Sequence, residues 1–282
     1  MISEKIIEQA SKLLKNHNIK THELDAQLIL SNIMKVNREY LIVNNKLTLS
    51  EKILEKYNLA IKRRIKREPV AYINGKKEFW SDNYLVNPGT LIPRPETEIL
   101  IYKIINHFEI KKINILDIGT GTGCILLSIL KEMNYSKGVG IDISPRAIHT
   151  AKINSKKLKL NHRAKFQIFD LSKFNNGKYD LIVSNPPYIP SGEIKNLSKD
   201  IINYEPLIAL NGGVDGLDLI KKVIYKSNHL LKRNGILALE IGYGQHQKVS
   251  SILTNHKYRI IYKEEDFNRN VRCIISTKVG YS

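Results

Sequence analysis

The chain has 282 residues, 42% of them hydrophobic, which is enough for one or two buried cores. It contains no run of 18 apolar residues, and its start, Met1-Ile2-Ser3-Glu4-Lys5, lacks the regions of a signal peptide, which argues against a membrane protein and for a cytoplasmic one. The net charge of +18 would suit a polyanionic partner, but 34 Lys stand against 11 Arg, the charge is spread along the chain and there is no basic tail, so it reads as composition rather than as a nucleic-acid surface.

In chain order, Ile6, Ile7, Ala10, Leu13 and Leu14 recur at helical spacing behind Ser3, a favourable N-cap, and predict a first helix over 3–17. A second helix begins near Thr21 with Leu24, Leu28 and Ile29. A third runs from Ser50 through Ile53, Leu54, Tyr57, Ala60, Ile61 and Ile65 until Pro69 stops it. Residues 1–75 thus form a helical unit without a catalytic cluster, expected to dock a partner. The stretch Lys62-Arg63-Arg64-Ile65-Lys66-Arg67 suits either a solvated helix end or an acidic or RNA partner. Within 76–93, Glu78-Phe79-Trp80 and Tyr84-Leu85-Val86 flank Ser81-Asp82-Asn83, which predicts a linking β-hairpin. Phe79 and Trp80 suit burial there or packing beneath a ligand.

Downstream, Pro93-Arg94-Pro95-Glu96-Thr97-Glu98 leads into another helix. Short apolar runs at 113–118, 138–143, 165–169, 180–184 and 235–241 alternate with helical segments, which argues for an α/β fold with a largely parallel sheet covered on both faces. Segments 258–263 and 271–277 follow closely and predict an antiparallel closing pair. Cys124 and Cys273 sit inside apolar runs as small hydrophobes, and neither a disulfide framework nor a metal site is expected.

Two loops carry the chemistry. Gly119-Thr120-Gly121-Thr122-Gly123 lies between a strand and a helix, where the backbone must turn sharply and approach a ligand. A dinucleotide fingerprint requires glycine at the sixth position, where this chain has Cys124, so the turn instead resembles the first motif of S-adenosylmethionine-dependent methyltransferases. Asp142, 23 residues after Gly119 at a strand end, suits both hydroxyls of a ribose, though it also precedes the helix-starting pair Ser144-Pro145. Asp170 and Leu171 would border an adenine by the same topology.

The second loop is Asn185-Pro186-Pro187-Tyr188, after the strand Asp180-Leu181-Ile182-Val183. A carboxamide or exocyclic amine nitrogen is a poor nucleophile because its lone pair is delocalised. Acceptors at both N–H bonds, the Asn185 side-chain oxygen and the Pro186 carbonyl, would hold it with the lone pair turned to a methyl donor. The prolines stiffen the loop, and Tyr188 would stack on the planar target or lie near a sulfonium. Holding both reactants in line can supply roughly 7–11 kcal/mol, so no strong general base is needed.

With these motifs, the runs Glu68-Pro69-Val70-Ala71-Tyr72, Arg94-Pro95-Glu96-Thr97-Glu98 and Glu205-Pro206-Leu207 resemble those of the protein-(glutamine-N5) methyltransferases that modify peptide chain release factors, over most of the chain. The resemblance implies a Rossmann-like, seven-stranded S-adenosylmethionine-dependent methyltransferase domain over 94–282, joined by the hairpin to a helical bundle that helps hold a class 1 release factor. The acceptor would be the glutamine of its Gly-Gly-Gln loop. Carried over by position, Gly119, Thr120, Gly121, Thr122, Gly123, Asp142, Leu171 and Asn185 would contact the cofactor. Asn185, Pro186, Pro187 and Tyr188 would hold the glutamine, with Asn185, Pro186 and Tyr188 catalytic. Leu171 departs from the aromatic residue of some relatives. Arg94 would clamp Glu96 or the target loop, and Glu96 suits either a functional role or the first turn of a helix. A monomer without a nucleic-acid or membrane partner is expected. The alternatives are a glutamine of a ribosomal protein, adenine N6 of DNA or RNA, and a non-enzymatic binding protein in which the glycine turn is idle.

Overall fold

Apolar side chains at helical spacing wind the start of the chain into α1 (Ser3–Asn16), α2 (His22–Met34), α3 (Arg38–Val43), α4 (Glu51–Ile65) and α5 (Val70–Asn74) in the computed structural model, which describes residues 2–109, 112–266 and 268–279. The first unit runs to Lys76 and takes back Ser198–Tyr204, which contains the short α9 (Lys199–Ile202). Its core gathers Leu14, Ile19, Ile29, Leu30, Leu41, Tyr57 and Ile61, and the Tyr57 hydroxyl donates to the Ala26 carbonyl.

Three expectations for this unit are corrected. Ser3 is the first helical residue rather than the cap, because Ile2 is held in a bridge to Thr48 and the buried Ser3 hydroxyl donates to the Asn45 carbonyl. Helix α4 already ends at Ile65, four residues before Pro69, and Pro69 is itself the N-cap of α5, where its fixed φ and missing N–H cost nothing. The basic stretch is neither wholly solvated nor free for a partner. Arg64 is 5% exposed, with its Nε 2.7 Å from Asp25 and its Nη1 2.7 Å from Asp200. Arg63 pairs with Glu68, and Arg67 donates to the carbonyls of His17 and Asn18.

The second unit comprises Lys77–Leu197 and the chain from Glu205 onward. Its sheet contains β3 (Asn114–Ile118), β4 (Lys137–Asp142), β5 (Ala164–Ile168), β6 (Tyr179–Ser184), β7 (Leu231–Glu240), β8 (Tyr258–Glu265) and β9 (Val271–Lys278), in the order β5-β4-β3-β6-β7-β9-β8. The first five are parallel, and β9 pairs antiparallel with both β7 and β8, as the two closing segments suggest. On one face α6 (Thr97–Phe108), α7 (Cys124–Glu132) and α8 (Pro145–Lys157) bury Leu100, Ile104, Leu127 and Ala151; on the other α10 (Asp218–Leu230) and α11 (His246–Asn255) bury Ile220, Ile224 and Val249. Both cysteines are buried and free. The order in which strands are added across the sheet reverses between β3 and β6, which makes their carboxyl ends the place where such a sheet opens a crevice.

The hairpin β1 (Lys76–Phe79) and β2 (Asp82–Leu85) turns on Trp80 and Ser81, one residue earlier than the expected Ser81-Asp82-Asn83, with both residues at positive φ (49° and 60°). That pair of values is the two-residue turn that matches strand twist, taken here without Gly or Asn. Phe79 and Tyr84 join the core of the second unit edge to face, and the indole of Trp80 donates to Glu132. Buried Asn154 of α8 accepts from the Leu85 amide and donates to the carbonyls of Leu85 and Thr122, tying the hairpin to the glycine turn. Among the described residues no helix is long and apolar enough to cross a membrane, and no cluster could hold a metal ion.

Candidate active site

The glycine turn leaves β3 with Gly119, Gly121 and Gly123 at φ of 72°, 55° and 80°, values that an L side chain rarely adopts. The amides of Gly119 and Thr120 both reach the Ile141 carbonyl, so the turn is pinned to the end of β4. The Thr120 hydroxyl donates to Asp117 Oδ2 at 2.6 Å, and the Gly121 amide to Asp142 Oδ2 at 2.9 Å. Asp117 is wholly buried with Oδ1 unpartnered, and burial pushes its carboxyl up to about 7.

A cleft of about 410 Å³ opens above these strand ends, and Gly119, Gly121, Asp142, Leu171, Asn185 and Pro187 all line it. A Cβ at Gly119 would meet nothing within 4 Å, so that backbone faces open space. Thr120 and Thr122 do not line the cleft: both are buried behind it, and Gly123 caps α7. Asp142 accepts amide bonds from Gly121 and Ser144, one on each oxygen, and burial raises its carboxyl above the ordinary range. Each oxygen keeps a lone pair for a hydroxyl. Ser144 caps α8 and Pro145 opens it, so the helix-starting pair and the cleft-facing carboxylate coexist. Strand β5 ends at Ile168, two residues before Asp170; Asp170 lies at the rim, bonded to Ser172, while Leu171 is buried in the wall. Gly89 to Leu91, with Pro206, Ile208 and Ala209, close sides of the cleft that motif spacing did not assign.

Beside the turn, the Ser184 hydroxyl donates to the Ile118 carbonyl, joining the ends of β6 and β3 where the two loops begin. Pro186 is buried, and Gln245 holds the far end of the loop by donating to the Tyr188 carbonyl while accepting from the Gly242 amide. Asn185 Nδ2 donates to Thr97 Oγ1 at 3.2 Å, and Thr97 Oγ1 donates to Glu240 Oε2 at 2.6 Å. Asn185 Oδ1 and the Pro186 carbonyl accept no hydrogen bond among the described residues. Tyr188 is outside the wall of the cleft: its hydroxyl lies 3.4 Å from Glu240 Oε1 and its ring under the Arg272 guanidinium, 5.7 Å from the centroid.

Glu240 is wholly buried, and burial raises its carboxyl to about 6, with Thr97, Arg272 and Tyr188 opposing the rise and Glu96 adding to it. Thr97, Glu240 and Arg272 were not singled out from the sequence; the available signal was a carboxylate closing the apolar run Ile236-Leu237-Ala238-Leu239. Arg94 does not clamp Glu96: its Nη2 sits 2.5 Å from Glu205, which also accepts the Ile92 amide. Glu98 accepts the Trp80 amide, and Glu96 is the N-cap residue of α6.

Comparison with known proteins extends this picture. Residues 5–75 match the PrmC N-terminal domain, and residues 110–266 match a methyltransferase domain. The chain is 39% identical to the release factor glutamine methyltransferase of Clostridium acetobutylicum, over 96% of this chain and 97% of that one. It is 40% identical to the enzyme of the same description from Buchnera aphidicola, over 90% and 92%. A bifunctional methyltransferase of Rickettsia typhi is 36% identical over 96% of this chain, which spans 56% of that longer protein. Among solved structures, a ribosomal protein L11 methylase from Lactobacillus delbrueckii shares the fold, with a TM-score of 0.52 over 72% of this chain and 90% of that one at 19% identity.

Proposed function

The chain belongs to the release factor glutamine methyltransferase family, and on that premise we propose that it transfers a methyl group from S-adenosylmethionine to the side-chain amide nitrogen of the Gly-Gly-Gln glutamine of a class 1 release factor. The observation that carries the reading is the pair of unengaged acceptors at the cleft: Asn185 Oδ1 and the Pro186 carbonyl, on a loop fixed by Ser184 and Gln245. The open backbone at Gly119 and the spare lone pairs of Asp142 fit an adenosine-bearing cofactor. When bound, S-adenosylmethionine supplies an electrophilic methyl on a sulfonium.

The chain's own part is to bind and orient. Gly119 and Gly121 let the cofactor lie against backbone, Asp142 takes the ribose hydroxyls, and Leu171 and Ile143 give the adenine apolar faces. Asn185 Oδ1 and the Pro186 carbonyl each take one N–H of the glutamine amide, which leaves the nitrogen lone pair directed away from both. That geometry substitutes for a base, because the product nitrogen is acidic once alkylated. Pro187 bounds the acceptor's approach, while Tyr188 braces the loop from behind against Glu240 and Arg272. The helical unit serves as the docking module for the release factor, and the enzyme acts as a cytoplasmic monomer without direct nucleic-acid contact.

The test is labelling. Purified protein with methyl-labelled S-adenosylmethionine is expected to label a class 1 release factor, and to leave unlabelled a factor whose acceptor glutamine is replaced by asparagine. Label found in ribosomal protein or in nucleic acid, with the release factor untouched, overturns the assignment.

A further inference from the structure

Building on that reading of Asn185, we infer that Glu240, acting through Thr97, is a positioning residue that decides which end of the Asn185 carboxamide faces the acceptor glutamine. The two ends of a carboxamide are nearly equal in size and opposite in hydrogen-bonding sense. The oxygen can receive an N–H of the acceptor, whereas the NH₂ would meet it donor to donor. The loop backbone does not distinguish them, since Asn185 follows directly on the end of β6 and the two residues after it are prolines that offer no N–H.

The distinction comes from β7 and α6. An ionised Glu240 can only accept, and Thr97 commits its single hydroxyl proton to Glu240 Oε2 at 2.6 Å. Thr97 Oγ1 then has only lone pairs for Asn185, so the amide must present Nδ2, at 3.2 Å, and its oxygen is left for the substrate. Protonation of Glu240 removes the constraint: its O–H can donate to Thr97, the threonine proton can swing to Asn185, and the oxygen end is drawn inward. The charged and titratable groups facing Glu240 are Arg272, Tyr188, Glu96 and the buried thiols of Cys124 and Cys273. Arg272 favours the anion, and Glu96 opposes it.

The experiment compares wild type, Thr97→Val, Thr97→Ser and Glu240→Gln at saturating S-adenosylmethionine with a class 1 release factor as acceptor. Thr97→Ser keeps the hydroxyl and is expected to turn over like wild type. Thr97→Val is expected to lose about 10- to 100-fold in kcat, the scale of one or two oriented hydrogen bonds, with KM for the release factor little changed. Wild-type kcat is expected to fall on the acid side with a half-point near 6, and Glu240→Gln, which cannot titrate, to lack that limb. The inference is overturned if Thr97→Val turns over like wild type, if Thr97→Ser is as impaired as Thr97→Val, or if the acid limb survives in Glu240→Gln. A wild-type enzyme that leaves the release factor unlabelled overturns the glutamine reading itself, and this inference with it.

Discussion

Arg94 reaches across 111 positions of sequence to Glu205, with its Nη2 2.5 Å from a carboxylate whose side chain is 1% exposed. The pair fixes two stretches that wall the cleft, since Leu91 lies just before Arg94 and Pro206 just after Glu205. Arg94→Ala leaves a buried carboxylate uncompensated and is expected to destabilise the protein by about 2–3 kcal/mol, discounted for the partial exposure of the arginine. Thermal unfolding measures the loss, and calorimetry with S-adenosylmethionine should show weaker binding alongside it.

Asn185→Ala removes an acceptor without disturbing a core contact. Turnover is expected to fall by about 10²–10³-fold or more, the scale of deleting one preorganised group at a reacting centre. The melting temperature should stay near that of wild type. Retained turnover would remove the loop from the chemistry.

The glycines of the cofactor turn should separate stability from binding. A Cβ at Gly123 would stand 3.1–3.2 Å from Phe166, Ala151 and Leu127, whereas one at Gly119 would meet nothing within 4 Å of protein. Both substitutions to Ala incur backbone strain of about 1–2 kcal/mol. Gly123→Ala is expected to show the larger drop in denaturant midpoint, and Gly119→Ala the larger loss of cofactor affinity.

Asp117 gives a signed pH dependence. Its folded pKa of about 7 lies above the ordinary carboxylate value, so the native state holds a proton that the unfolded state has released. The stability contributed by protonated Asp117 is therefore full below about pH 4 and lost as pH rises to about 7, a change of a few kcal/mol at most. Glu240 contributes in the same direction up to about 6. Asp117→Asn, followed by urea unfolding from pH 5 to 8, should flatten much of this slope.

Asn154→Leu strands the Leu85 amide and two carbonyls in a buried site. A loss of about 3–4 kcal/mol is expected by thermal unfolding, with cofactor affinity reduced because the Thr122 carbonyl loses its anchor.

Much of the sheet was legible because buried parallel strands read as short apolar runs, and Ile115-Leu116, Ile182-Val183 and Leu237-Ala238-Leu239 are such runs. The cleft-lining positions Gly119, Asp142, Leu171 and Asn185 were legible because strand ends and turns fix where they fall. Helices of five or six residues, such as α3 and α5, carry too few periodic positions to register. The hairpin turn was displaced because Trp80 and Ser81 adopt positive φ under tertiary constraint, without the usual glycine or asparagine. The links Asn185–Thr97, Thr97–Glu240 and Arg94–Glu205 join residues 88, 143 and 111 positions apart only through packing, with spacing no guide.

Because Arg64 shares its guanidinium between Asp25 and Asp200, the amino-terminal helices are not chemically complete when they leave the ribosome. A nascent chain halted anywhere before position 200 carries that arginine with one carboxylate instead of two. The final maturation of the first-made part of this protein therefore waits on a segment translated long after it, and the order of synthesis is not the order in which its parts reach their finished state.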